Sequence, residues 1–118
     1  MTEEKDCIFC KIVKKDIPSN PIYEDDKVYA FYDLQPQAPY HFLVVPKKHL
    51  DSLEHINDED KNKEIIGYLL SKIPDIAKMV GIKNGYRVVN NIGADGLQTV
   101  KHIHFHVLGG RKLTWPPG

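Results

Sequence analysis

Apolar positions along the chain change period several times, and each change marks an element. Ile8, Phe9, Ile12 and Val13 recur at helical spacing, which predicts a short helix over residues 7–13, closed off by Pro18. Residues 22–24 and 28–33 alternate as two strands around the polar turn Asp25-Asp26-Lys27, with Tyr29, Phe31 and Asp33 on one face. Phe42-Leu43-Val44-Val45 is a continuous apolar run ended by Pro46, as suits a central strand. A helix start is predicted at Asn57-Asp58-Glu59-Asp60, from a capping residue followed by acids. Ile65, Ile66, Leu69, Leu70, Ile73, Ile76, Ala77 and Val80 then form one apolar stripe, with Gly81 where a C-terminal cap belongs. Pro74 falls inside this stripe and predicts a kink or a split into two helices. Strands are predicted at 86–90 and 100–108, separated by the loop Gly93-Ala94-Asp95-Gly96 and ended by Gly109-Gly110. The order is strand-rich with one short N-terminal helix and one long helix, which points to an α+β fold with a mainly antiparallel sheet.

Length and charge narrow the function classes. The 118 residues suffice for a single domain, 1–118, with one real core. Sixteen basic residues balance sixteen acidic ones, so no bulk affinity for nucleic acid or an anionic membrane is expected. No apolar run approaches the roughly 20 residues that span a bilayer. The acidic, polar start Met1-Thr2-Glu3-Glu4-Lys5-Asp6 is unlike a secretory or mitochondrial leader. The only two cysteines sit together in Cys7-x-x-Cys10, which is not a disulfide framework. An intracellular location is expected, in the cytoplasm and open to the nucleus.

Of six histidines, three fall in His102-Ile103-His104-Phe105-His106. On a strand, alternate side chains share a face at roughly 6.5–7 Å spacing. The three imidazoles therefore project together while Ile103, Phe105 and Val107 pack on the other side. Three imidazoles on one face can bind a metal, carry out nucleophilic or acid–base chemistry, or bind phosphate. The remaining reading is an edge strand with incidental histidines, which the strict alternation over an apolar face opposes.

The run His102 to Leu108 resembles the signature of the histidine triad (HIT) superfamily. Further stretches resemble its Hint branch: Asp6-Cys7-Ile8-Phe9-Cys10-Lys11-Ile12, Phe31-Tyr32-Asp33, Pro36-Gln37-Ala38-Pro39, the segment from His41 to His49, and the ending Trp115-Pro116-Pro117-Gly118. The resemblance implies a HIT-like fold with a five-stranded sheet, paired across a homodimer whose C-terminal tail reaches toward the partner's site. It implies hydrolysis of purine nucleoside phosphoramidates, adenosine monophosphate joined to an amine, through a nucleotidyl intermediate on His104. His106 and His102 would flank the nucleophile as phosphate or proton partners, with His41 behind them. Asn91, Gln98 and Thr99 would contact the α-phosphate with His104 and His106, Asp33 the ribose hydroxyls, and Leu34 would pack nearby. Ile8, Phe9, Ile12 and Phe31 would wall the purine, although the residues by themselves read as core. Leu97 stands where the branch has glycine and Thr99 where it has serine. Thr99 keeps its hydroxyl, whereas Leu97 adds bulk beside the phosphate.

Cys7-x-x-Cys10 alone leaves three readings open: a redox pair, two buried thiols, or half of a zinc site. Some HIT proteins complete a structural zinc site with two histidines, and the matching positions are His49 and His102. Occupied in this way, His102 would leave His104 and His106 for chemistry, while His55 has no assigned role. Three rival functions remain. One is a dinucleoside polyphosphate hydrolase using the same nucleophile, another a nucleotide-binding scaffold with little turnover, and the third a metalloenzyme with all three triad histidines on one metal.

Overall fold

A computed structural model describes residues 6–118; the polar start Met1 to Lys5 lies outside the described residues. The elements in chain order are α1 (Ile8–Val13), β1 (Pro21–Glu24), β2 (Val28–Tyr32), β3 (Tyr40–Pro46), two 3₁₀ turns (Leu53–His55 and Glu59–Lys61), α2 (Asn62–Val80), β4 (Tyr86–Val89) and β5 (Phe105–Gly109). The five strands form one sheet in the order β1-β2-β3-β5-β4, and every pair is antiparallel. This is the α+β, five-stranded arrangement expected from the patterning.

The sheet separates two apolar layers. Val28, Ala30, Phe42, Val44, Ile103, Phe105 and Val107 pack with Ile66, Leu69, Ile73, Ile76 and Ala77 of α2. On the opposite face, Tyr29, Phe31, Leu43 and Val45 pack with Phe9 and Ile12 of α1, beside Cys7 and Cys10. β3 is apolar on both faces because both are covered, which explains its continuous run. A carboxylate clasps β1, β2 and α2 together. Asp25 Oδ2 accepts from the hydroxyls of Tyr23 and Tyr68, at 2.7 and 2.6 Å, and Oδ1 accepts from the N–H groups of Lys27 and Val28, both at 2.8 Å.

Four sequence expectations are corrected. The long helix begins at Asn62, not at Asn57. Asn57 does accept a bond from the Glu59 N–H, but it lies one residue before Asp58, the cap position of the 3₁₀ turn, and Asp60 and Lys61 then adopt left-handed backbone (φ 50° and 63°) and interrupt the helix. Pro74 does not split α2, which runs through it as one 19-residue helix. Proline withholds a bond from the carbonyl of Leu70, and that residue is 43% exposed, so water can take its place. The same exposure removes Leu70 from the buried stripe. Finally, the last strand starts at Phe105 rather than Val100, and its pairing with β4 stops at Val89↔His106. Gly81 caps α2 as expected, at φ 99°, with its N–H on the carbonyls of Ala77 and Lys78.

Candidate active site and metal centre

The segment 102–106 keeps its alternation even where it leaves the sheet. Ile103, Phe105 and Val107 enter the α2-side core, and the three histidines face the α1 side. Phe9 of α1 meets the rings of His102 and His104 edge-on, with centroids 5.9 and 4.9 Å away. Exposure rises along the row: the His102 residue is 0% exposed, His104 5%, and the His106 side chain 21%. The three are therefore on one face but not in equivalent surroundings.

Hydrogen bonds set the tautomer of each ring. His102 donates from Nε2 to the carbonyl of Pro46 at 2.8 Å, so its Nδ1 carries a lone pair. His104 donates from Nδ1 to the carbonyl of His102 at 2.8 Å, which leaves its Nε2 as the lone pair. The N–H of Gln37 donates to Nδ1 of His41 at 3.0 Å, so the proton of neutral His41 sits on Nε2. That Nε2–H lies 2.9 Å from Nδ1 of His106, which must accept, placing the His106 proton on its own Nε2. Asp33 stands at the edge of this pair: Oδ2 is 3.5 Å from His41 Nε2 and 3.9 Å from His106 Nδ1, while Oδ1 accepts from the Gln35 N–H at 2.8 Å.

Charge follows burial. Burial pushes His104 below the ordinary imidazole range, outweighing its bond to the His102 carbonyl and the attraction of Asp33. Burial, then His104 and His41 nearby, bring His106 to about 4 against the pull of Asp33. His41 is likewise lowered by burial, with Asp33 opposing. At neutral pH the site thus holds neutral imidazoles, one of which presents a bare nitrogen.

A second cluster shares His102. The ligand atoms of Cys7, Cys10, His49 and His102 all lie within 4.8 Å of one another. Nδ1 of His102 is 3.2 Å from Cys7 Sγ and 3.6 Å from Cys10 Sγ, and His49 Nδ1 is 3.3 Å from Cys10 Sγ. Tetrahedral zinc with ordinary Zn–S and Zn–N bonds puts S and N atoms about 3.5 Å apart, so the donors already stand near ligand spacing. Donor type agrees: two thiols, one of which accepts the Cys10 N–H at 3.3 Å, and a His102 lone pair whose other nitrogen is tied to a carbonyl. These four residues can hold a closed zinc site that includes neither His104 nor His106.

The other anticipated residues divide. Phe9, Ile12 and Phe31 are buried in the α1-side core, while Ile8 and Leu34 are exposed and outside it. Gln98 braces the loop before the triad: its Nε2 donates to the carbonyls of Asp51 and Val100, and its Oε1 accepts from the Gly93 N–H. Asn91 is half-buried and Thr99 exposed. Gly96 is obligatory in this loop, since a Cβ there would fall 2.2 Å from the Ile92 carbonyl oxygen. Leu97 has left-handed backbone (φ 64°) with its side chain 70% exposed. Leucine here meets a backbone that suits glycine, and its bulk points to solvent rather than into the packed layer. Sequence reasoning missed Asn90, whose Nδ2 donates to the His104 carbonyl at 2.9 Å. Its position at the end of a predicted strand, beside the triad strand, was the available signal.

Comparison with known proteins agrees with this architecture. The HIT domain family model matches residues 14–113. A 14 kDa zinc-binding protein of Zea mays is 49% identical over 116 residues, 98% of this chain and 91% of that one. Among solved structures, a histidine triad protein from Clostridium difficile matches with a TM-score of 0.89 at 55% identity, covering 95% of this chain and 96% of the other. A HIT family hydrolase from Legionella pneumophila Philadelphia 1 also matches at 0.89, with 44% identity, 96% of this chain and 100% of the other covered. With a family match over most of its length and the triad set out as described, the chain belongs to the HIT domain family.

Proposed function

We propose that the protein is a Hint-type nucleotide hydrolase that cleaves the P–N bond of purine nucleoside 5'-phosphoramidates, with His104 as nucleophile. One observation carries this reading: the His102 carbonyl holds the Nδ1 proton of His104, so Nε2 is an unprotonated nucleophile. In the first step Nε2 of His104 bonds to the α-phosphorus, the P–N bond breaks, and the amine departs with a proton from solvent. The intermediate is a nucleotidyl-imidazolium, and the His102 carbonyl on its Nδ1–H together with the Asp33 carboxylate stabilises the positive charge. In the second step water oxygen bonds to phosphorus, the N–P electron pair returns to Nε2, and the water releases a proton to solvent. The products are the nucleoside monophosphate and His104 in its starting form. The His106 Nε2–H acts as a hydrogen-bond donor to a phosphate oxygen, oriented by His41.

Cys7, Cys10, His49 and His102 bind zinc in this reading, in keeping with the zinc-binding name of the maize relative. The ion supplies structural cross-linking between α1 and the triad segment. The protein works as a homodimer, for which the exposed Tyr86 and Val88 on edge strand β4 offer an apolar face. Light scattering after size exclusion tests this, and a monomer at micromolar concentration rejects it.

The test of the reaction is turnover of adenosine 5'-phosphoramidate, with acid-quenched protein mapped by mass spectrometry. An adenylyl adduct on His104, and loss of turnover by at least about 10³-fold in His104→Ala, is expected. No turnover, or an adduct on another residue, overturns the mechanism. Faster cleavage of diadenosine polyphosphates would assign the site to the rival hydrolase.

A further inference from the structure

The nucleophile is held from two sides, and only one of them belongs to the triad. Its ring is tied to the His102 carbonyl, but its own carbonyl is tied to Asn90 on the neighbouring chain segment. The pairing of β4 with β5 runs from Tyr86↔Gly109 to Val89↔His106 and then stops. Continued by the same register, it would set Asn91 opposite His104. At that point the strands have parted, and the Asn90 side chain supplies the donor that the ladder no longer does, at 2.9 Å.

Asn90 does this at a cost. Its Oδ1 is buried and has no hydrogen-bond partner among the described residues. The amide cannot be turned to relieve this, since that would set two oxygens against each other at the His104 carbonyl. A buried acceptor without a donor is destabilising, and an apolar residue of similar size would avoid the penalty. In this chain a destabilising group thus stands against the nucleophile's own backbone, as groups that fix the position of a site do.

From this geometry we infer that Asn90 is a positioning residue for the reaction: its side-chain amide holds the His104 main chain so that Nε2 is aimed at the phosphorus. The inference rests on the proposed role of His104 as nucleophile. Attack requires reacting atoms about 3–3.5 Å apart with aligned orbitals, and a small displacement of the nucleophile is costly in rate. Substrate binding does not require that alignment, so Asn90 should act on kcat and leave affinity for the nucleotide alone.

The experiment compares wild type, Asn90→Val and Asn90→Asp. Valine removes both the donor and the orphaned acceptor, and aspartate keeps the shape but sets an oxygen against the carbonyl. Turnover and single-turnover adduct formation with adenosine 5'-phosphoramidate are read beside adenosine monophosphate affinity, melting temperature and the ¹⁵N spectrum of the His104 ring. Asn90→Val is expected to lower kcat about tenfold, with adenosine monophosphate affinity within about twofold and no loss of melting temperature. Its His104 ring signals should move away from the single Nδ1–H tautomer of the wild type. Asn90→Asp should be slower still. Unchanged kcat in Asn90→Val overturns the inference, as does a fall in kcat matched by weaker binding and a lower melting temperature, which marks general loosening. A wild type without turnover would reject the proposed function instead. The ring spectrum would then judge Asn90 alone, and a wild-type tautomer in Asn90→Val would reject its role.

Discussion

Removing zinc should cost stability and leave chemistry intact, because the four ligands and the proposed nucleophile meet only through His102. The ligands join α1, the segment after β3 and the segment before β5, positions as far apart as 95 residues in sequence. An ion bound only by the folded chain stabilises it by about 2.7 kcal/mol when free zinc is one hundredfold above its Kd. For 118 residues the unfolding entropy is about 0.25 kcal/mol per kelvin. Stripping the ion should therefore lower Tm by about 10 °C. The measurement is a pair of melts by circular dichroism, with and without 1,10-phenanthroline, and a third on Cys10→Ser with zinc content determined by mass spectrometry. Turnover is recorded at 25 °C, well below the lowered transition. His102 keeps its bond to the Pro46 carbonyl without the metal, so the support of His104 survives and kcat should stay within about threefold. A chelator that abolishes turnover while Tm is unchanged would refute the division between the two clusters. It would favour a metal held by the triad itself.

Three other outcomes are expected. Asp25 is held near 2 rather than 3.8: burial raises its pKa, but the bonds from Tyr68, the Lys27 N–H, Tyr23 and the Val28 N–H together outweigh burial. A carboxyl lowered on folding stabilises the protein fully above its unfolded value, so this contribution should be present above pH 3.8 and fade as pH falls toward 2. After allowance for solvent at this half-buried site it amounts to about 1 kcal/mol, and urea midpoints across that range should lose this dependence in Asp25→Asn. Leu97→Gly should stabilise the protein by about 1 kcal/mol, read as a rise in urea midpoint, by relieving the left-handed strain; a fall would show that the exposed leucine makes a stabilising contact. His41→Asn breaks the path from the Gln37 N–H to His106 and should lower kcat about tenfold or more with little change in binding of adenosine monophosphate; unchanged kcat would remove His41 from the site.

The histidine row was legible because two alternations reinforce each other. Ile103, Phe105 and Val107 had to face a core, and that alone forced the three imidazoles to the other side. The same period said nothing about which main-chain groups were paired, so residues 102–104 read as strand although the partner strand ends at Val89. The helix start shows a similar limit. Asn57 has the right side chain for a cap, but the left-handed backbone of Asp60 and Lys61 is not a periodic signal, and it moves the start to Asn62. Pro74 carried a warning that its neighbour's exposure cancels, and exposure of a carbonyl is a tertiary property. At the metal cluster, Cys7 and Cys10 are local and visible, whereas His49 arrives from 39 residues beyond Cys10. Only the resemblance to a family linked it to them. Asn90 differs again: its place at the end of a predicted strand is visible, but the carbonyl that its side chain reaches is not.

The link between His102 and His104 has a consequence for how such a site can vary. What His104 receives from position 102 is a main-chain oxygen, and every residue type has one. The side chain at 102 is thus free to take either role: with cysteines present it can serve a metal, and without them it can simply pack against Phe9 while His104, the proposed nucleophile, keeps its orientation. Scaffold and reaction are coupled through a part of the chain that mutation cannot delete. A lineage with this architecture could gain or lose its ion without rebuilding its catalyst.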